Sequence, residues 1–95
     1  MTLDKFKDII KSEQKTLVKF GASWCGPCKM ADKVLTKYVE MGNDRVYSID
    51  VEDNKKIGFE YLIKSLPTFI IFQSGEIVER WTGRATKQEL IDKMK

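Results

Sequence analysis

Two cysteines three residues apart are the side chains of this sequence best suited to covalent chemistry. Cys25 and Cys28 lie in the stretch Trp24-Cys25-Gly26-Pro27-Cys28-Lys29, between an apolar strand-like segment and a long amphipathic one. If a helix begins here, its unpaired N–H groups and positive dipole end favour a thiolate at Cys25, the nucleophilic form of cysteine. Pro27 suits the first helical turn, where its missing N–H costs nothing. Cys28, one turn further, would face the same sulfur and could close a short disulfide.

A metal site and a pair of inert thiols both fit these cysteines less well. A structural zinc site usually needs four ligands, whereas this chain has two cysteines and no histidine, so we expect no metal. Inert, buried thiols are also a poor fit, because cysteines this close together at a helix start are not plainly buried. Reversible thiol–disulfide chemistry is therefore the favoured interpretation.

The elements that must position the cysteines follow from the spacing of apolar residues. The order predicted is α β α β α β β α. The pattern predicts helices over 4–12, 26–41, a short segment capped by Asn54 that carries Ile57, Tyr61 and Leu62, and a last helix opening at a Thr86–Glu89 capping box. It predicts strands over 16–22, 45–51, 68–73 and 76–82, the last two joined by a hairpin at Ser74-Gly75.

In the long helix, two apolar rows, Met30/Val34/Tyr38 and Ala31/Leu35/Val39, keep the spacing of an amphipathic helix. A parallel start followed by an antiparallel hairpin predicts a mixed sheet with helices on both faces, an α/β fold. No linker, repeat or low-complexity stretch interrupts the chain, so residues 1–95 are expected to form one domain.

The charge pattern indicates an ordinary solvated surface. The 17 basic and 14 acidic residues are scattered along the chain, and no run of Lys or Arg forms a nucleic-acid tract. No apolar stretch is long enough for a signal sequence or a membrane span, so we expect a cytoplasmic protein without membrane contacts. In a reducing cytosol, two cysteines are more often catalytic or metal-binding than structural.

Beyond the cysteine stretch, three further segments match a known pattern. Ser65-Leu66-Pro67-Thr68 is similar to the cis-proline turn of the thioredoxin family, Ser74-Gly75-Glu76 to its hairpin, and Gly83 to the glycine after its last strand. The sequence resembles this family over roughly residues 3–95. The resemblance implies a three-layer sandwich around a mixed four-stranded sheet, with the first strand of longer members short or missing.

The resemblance also implies an activity. Cys25 would attack a substrate disulfide and Cys28 would resolve the mixed disulfide, so that protein disulfides are reduced and an external reductase recharges the pair. No cofactor is implied, and a monomer is expected. Two alternatives stay open: a dedicated electron donor to one enzyme such as a ribonucleotide reductase, or a non-catalytic binding module with the thioredoxin-like shape.

Several residues around the cysteines receive roles from the same resemblance. Pro67 would be cis and lie beside the two sulfurs, and Leu66 would offer its backbone to an extended substrate segment. Gly26 and Pro27 would support the site. The docking surface would consist of Trp24, Leu66, Pro67, Thr68 and Gly83.

The sequence also departs from the family pattern. Lys19 occupies the position of the family's buried acid, and Ser48 that of its partner lysine. Gly21 replaces an aromatic residue, and Lys33 a kinking proline. A lysine in a central strand needs a partner, and Asp50 is predicted to lie on the same face of its strand as Ser48. The hypothesis is therefore a reversed ion pair between Lys19 and Asp50 under the redox site.

Two opposite effects of Lys19 are possible. A charged ammonium would favour the thiolate of Cys25 or Cys28 and make the protein a weaker reductant. A desolvated, neutral amine could instead serve as the base for Cys28. The reduction potential of the pair distinguishes the two.

Overall fold

A four-stranded mixed sheet forms the middle layer of the fold. The computed structural model describes residues 1–95. Its strands are β1 (Thr16–Gly21), β2 (Val46–Asp50), β3 (Thr68–Gln73) and β4 (Glu76–Thr82), in the spatial order β2-β1-β3-β4. β1 runs parallel to β2 and antiparallel to β3, and β3 pairs antiparallel with β4. The predicted mixed sheet of four strands is thus confirmed.

Four helices cover the two faces of this sheet. They are α1 (Leu3–Ile10), α2 (Gly26–Glu40), α3 (Lys55–Glu60) and α4 (Lys87–Lys93). One apolar core joins α1 and α3 to the sheet, and a second joins α2 and α4 to the opposite face. The predicted element order is confirmed, with boundaries that differ by one or two residues. No helix combines the length and the apolar character needed to cross a bilayer.

The central strand β1 is buried along its whole length. Its side chains alternate, so Leu17 packs towards α2 and α4 while Val18 and Phe20 pack towards α1 and α3. Lys19 and Gly21 lie on the Leu17 face, under α2. A lysine is therefore placed in the middle layer of the molecule.

The turn signals of the sequence are present as predicted. Ser74 and Gly75 both have positive φ, 54° and 82°, as a two-residue hairpin turn requires. At the start of α4, the Thr86 hydroxyl accepts from the Glu89 N–H, and the Glu89 carboxylate accepts from the Thr86 N–H, both at 3.1 Å. This capping box satisfies two N–H groups that the helix leaves unpaired.

The predicted apolar rows of α2 need a correction. The helix buries Ala31, Leu35 and Tyr38, whereas Met30 and Val39 are exposed. Only one stripe of α2 contacts the sheet. Met30, from the first predicted row, and Val39, from the second, lie outside that stripe.

The short helix α3 also differs from the prediction. It ends at Glu60, and Leu62 follows it in the left-handed region, with φ 53° and an exposed side chain. Asn54 occupies the N-cap position but makes no capping bond, because its Oδ1 accepts from the Met1 ammonium at 2.9 Å while its Nδ2 donates to the Asp50 carbonyl at 2.9 Å. Ile57 is the member of α3 that anchors it in the core.

Candidate active site

Cys25 and Cys28 meet where the loop after β1 enters α2. They are joined by a disulfide, with their Cα atoms 5.2 Å apart. Cys25 is the N-cap residue of α2, and its Sγ accepts from the Cys28 N–H at 3.2 Å. Pro27 lies in the first turn, and no acidic residue does. The helix start therefore presents N–H groups and its positive end to the Cys25 sulfur, as the sequence predicted.

The two sulfurs are not equally accessible. Cys28 is 1% exposed and Cys25 is 5% exposed. Ala22 and Leu66 pack against the pair from the apolar side. Cys25 also lines a surface groove that Cys28 does not line, so an incoming group would reach Cys25 first.

The Leu66–Pro67 peptide bond is cis. Pro67 is buried, and its carbonyl accepts from the Gly83 N–H at 3.0 Å, which brings Gly83 to the same side of the molecule. Leu66 lies outside β3, and its own N–H and C=O have no backbone partner. The bend before β3 thus leaves unpaired backbone groups at Leu66, which itself packs against the cysteines.

Thr68, predicted as part of the docking surface, is wholly buried. Its hydroxyl donates to the Ser65 carbonyl at 2.5 Å, and its backbone is paired between Phe20 of β1 and Thr82 of β4. The prediction for Thr68 is wrong because β3 is an interior strand from its first residue. Thr68 fixes the turn that contains Pro67 and does not face solvent.

A groove of about 490 Å³ opens over Cys25. It is lined by Trp24, Cys25, Gly26, Pro27, Val51, Ile63, Lys64 and Leu66. Trp24 is 69% exposed, and its indole N–H donates to the Glu52 carboxylate. Gly83 lines a separate groove of about 710 Å³ on the other side of Pro27.

The structure therefore brings most of the residues predicted for the site to one surface and adds three. Val51, Ile63 and Lys64 were missed by sequence reasoning. Ile63 and Lys64 could have been predicted to line the site, because they come just before the Leu66–Pro67 turn in the sequence. Val51 follows β2, and nothing in its sequence context indicates that it faces the cysteines.

Lys19 has a different partner from the one predicted. Lys19 is 5% exposed, and its Nζ lies 2.5 Å from Oδ1 of Asp32 on α2. The expected pair with Asp50 is wrong, because Oδ1 of Asp50 accepts from the Glu52 N–H at 2.8 Å in the turn after β2. Lys19 is paired across the helix–sheet interface and not along the sheet.

The space around Lys19 depends on Gly21. A Cβ atom at Gly21 would lie 3.0 Å from Sγ of Cys28 and 3.2 Å from Cε of Lys19. The missing side chain thus leaves room for both groups on the same face of β1. Asp32 was missed as a site residue, although it follows Cys28 by four positions and so lies on the same face of α2.

The whole chain is similar to known proteins. The thioredoxin family model matches residues 1–95. Thioredoxin Y1, chloroplastic, of Arabidopsis thaliana is 38% identical over 98% of this chain and 56% of its own length. The bifunctional thioredoxin reductase/thioredoxin of Mycobacterium leprae is 38% identical over 90% of this chain and 19% of its own length. The chain thus spans about half of the first relative and about a fifth of the second.

A solved structure shows the same architecture. Mitochondrial thioredoxin 3 of Saccharomyces cerevisiae, in its oxidised form, superposes with a TM-score of 0.84 at 31% identity. That alignment covers 98% of this chain and 88% of the other. With a matching family model, a shared fold and a paired CxxC motif at the start of α2, the chain belongs to the thioredoxin family.

Proposed function

We propose that this protein reduces disulfide bonds of other proteins by dithiol exchange. The observation that carries the proposal is the placement of Cys25 as N-cap of α2, bonded to Cys28 and open to the groove beside Pro67. In the reduced protein, the helix start stabilises the negative charge of the attacking sulfur. Both sulfurs needed for a complete two-electron transfer are then in one place.

The reaction has two exchange steps. The Cys25 thiolate attacks one sulfur of the substrate disulfide, forms a mixed disulfide and releases the first substrate thiolate, which takes a proton from water. The Cys28 thiolate then attacks Sγ of Cys25 and releases the second substrate thiolate. The substrate gains two electrons and two protons, and the protein is left with the Cys25–Cys28 disulfide.

Substrate binding is proposed at the groove over Cys25. The unpaired N–H and C=O of Leu66 suit an extended peptide segment that adds to the backbone in the manner of a β-strand. Trp24 offers a largely exposed apolar ring at one wall of the same groove. We therefore propose that a substrate is recognised by an extended backbone next to an accessible disulfide, and less by the identity of its side chains.

Recycling is proposed to depend on a thioredoxin-reductase-like enzyme. The Mycobacterium leprae relative, whose name joins a thioredoxin reductase to a thioredoxin, supports that proposal. A cytoplasmic location is proposed because a reducing compartment makes disulfide reduction the productive direction. The Arabidopsis relative is named as chloroplastic, so fractionation of the source cells is the test of the location. A monomer is proposed, with elution from a sizing column as its test.

Reduction of insulin by dithiothreitol, followed by turbidity, tests the activity. We expect the protein to accelerate precipitation and the Cys25→Ser variant to match the uncatalysed rate. A non-catalytic binding module would give no acceleration with the unmodified protein. If insulin is not reduced but a ribonucleotide reductase is, the dedicated-donor alternative replaces the general one.

A further inference from the structure

The buried ammonium of Lys19 is compensated by one carboxylate. Lys19 lies in the central strand, where an unpaired charge would be costly, and Asp32 provides its ion pair at 2.5 Å. The Asp32 side chain is 52% exposed and lines a shallow surface groove together with Ser48. The pair therefore connects the interior under α2 with solvent.

The aliphatic part of the Lys19 side chain, which carries this ammonium, lies near the sulfur of Cys28. A Cβ atom built at Gly21 would lie 3.0 Å from Sγ of Cys28 and 3.2 Å from Cε of Lys19, so the two groups approach each other across the space that the glycine leaves. Asp32 is one helical turn from Cys28 on α2. Lys19 is thus placed so that its charge can interact with either Asp32 or a thiolate at Cys28.

The other ionisable groups near Cys28 are engaged elsewhere or face solvent. Asp50 accepts turn N–H groups, and Glu52 accepts from the Trp24 indole. Lys29 and Lys64 are exposed. Among the groups around Cys28, Lys19 is the buried charge, and it lies on the face of β1 that contacts the sulfur.

We propose that Lys19 and Asp32 form a redox-linked charge pair that sets the stability of the Cys28 thiolate. In the oxidised protein the ammonium is held by Asp32. In the reduced protein the Cys28 thiolate competes with Asp32 for the same ammonium. Lys19 therefore stabilises the thiolate, and Asp32 limits that stabilisation; both are positioning residues for the resolving sulfur.

The chemical step rests on the proposed function and balances with a dithiol as the reductant. The Cys25–Cys28 disulfide takes two electrons and two protons from the donor dithiol, which becomes a disulfide. Ionisation of the Cys28 thiol then releases one proton to solvent and leaves a thiolate beside Lys19. No other oxidant or reductant is needed.

The thiol titration of Cys28 tests the proposal in a Cys25→Ser background, where only one sulfur absorbs as a thiolate at 240 nm. Lys19→Met should raise the titration midpoint by about one pH unit, since a nearby opposite charge shifts ionisation by that order or more. Asp32→Asn should lower the midpoint, because the ammonium is released to the thiolate. Asp32→Glu should restore a midpoint close to that of the parent.

Matched controls separate this effect from general surface charge. Lys33→Met and Glu40→Gln change the same charges at exposed positions of α2 and should shift the midpoint by less than a third as much. Circular dichroism confirms that each variant is folded. Midpoints that do not move, or that move in the same direction for Lys19→Met and Asp32→Asn, would overturn the proposal.

If Asp32→Asn fails to fold, Lys19→Met and the Lys19→Met/Asp32→Asn double variant decide the question. We expect the double variant to titrate near Lys19→Met, because Asp32 acts mainly through Lys19. A double variant that instead returns to the parent midpoint would contradict that coupling. This titration needs no turnover, so its failure is distinct from a failure of insulin reduction by the unmodified protein.

Discussion

At the residue scale, the site depends on a few positions where a small or charged side chain controls the space around a sulfur. Gly21 leaves room for Cys28 and Lys19 on one face of β1, and Lys19 is paired with Asp32 across the interface. A buried ion pair is weak evidence for stability, so the position of this pair beside Cys28 agrees with the role proposed for it.

Replacement of Gly21 by alanine should destabilise the protein. The added Cβ would lie 3.0 Å from Sγ of Cys28, and a buried strand next to a helix has little freedom to move. We expect a loss of about 1–3 kcal/mol in the free energy of unfolding, measured with urea, as for other overpacked cores. Gly26→Ala is the matched control, because a Cβ there has no neighbour within 4 Å. Equal stability of the two variants would refute the crowding argument.

Two tyrosines should make stability fall at high pH. Burial raises the pKa of Tyr38, and burial together with the Glu60 carboxylate raises the pKa of Tyr61, both from the ordinary value of 10.0. The fold thus favours the neutral phenols, and this contribution is complete below pH 10.0 and lost as the pH rises through the raised values. Phenolate absorbance at 295 nm should appear later in the native protein than in denaturant. Tyr38→Phe should reduce that lag, and coincident titrations in the two states would contradict the account.

At the element scale, the segment that leads to Pro67 begins at the end of α3. Leu62 adopts φ 53° at the position where glycine is preferred, and the Arg80 guanidinium donates to the Tyr61 and Leu62 carbonyls, the latter at 2.8 Å. These bonds satisfy carbonyls that the helix end leaves unpaired. They also tie α3 to β4 on the far side of the cis-proline turn.

Leu62→Gly should therefore stabilise the protein. Glycine adopts the left-handed conformation without the roughly 1–2 kcal/mol cost of a Cβ, although its flexibility in the unfolded chain offsets part of the gain. A net increase of about 0.5–1 kcal/mol in the free energy of unfolding is expected from these terms. Leu62→Ala removes the same exposed side chain but keeps the Cβ, so it should show no gain. A gain of equal size in both variants would mean that exposure of Leu62, and not its φ, is the cause.

At the scale of the whole molecule, the sequence predicts the layers better than the contacts between them. The eight elements, the hairpin at Ser74-Gly75 and the capping box at Thr86 all follow from local periodicity and turn chemistry, and all are confirmed. The position of Cys25 at a helix start also follows from local sequence. These features depend on residues that are neighbours along the chain.

What could not be predicted depends on how α2 crosses β1 and on which strand lies inside. The partner of Lys19 is 13 residues away on α2, and Asp50, on the neighbouring strand, is held by its own turn. Thr68 begins an interior strand, so its hydroxyl is buried, although the backbone N–H and C=O of Leu66, two residues earlier, are unpaired. To predict either case, one must know how a helix packs on the sheet or where a strand lies in the strand order. The periodicity of the sequence specifies neither.

In the proposed exchange, the Cys25 sulfur at the start of α2 makes the attack and the buried Cys28 sulfur completes the exchange. Trapping with reduced variants and insulin as the disulfide tests it directly, by non-reducing electrophoresis and mass spectrometry. The Cys28→Ser variant should accumulate a covalent adduct with insulin through Cys25, whereas the Cys25→Ser variant should form little or none. An adduct through Cys28 in the Cys25→Ser variant, formed as fast as the adduct of Cys28→Ser, would contradict this order of attack.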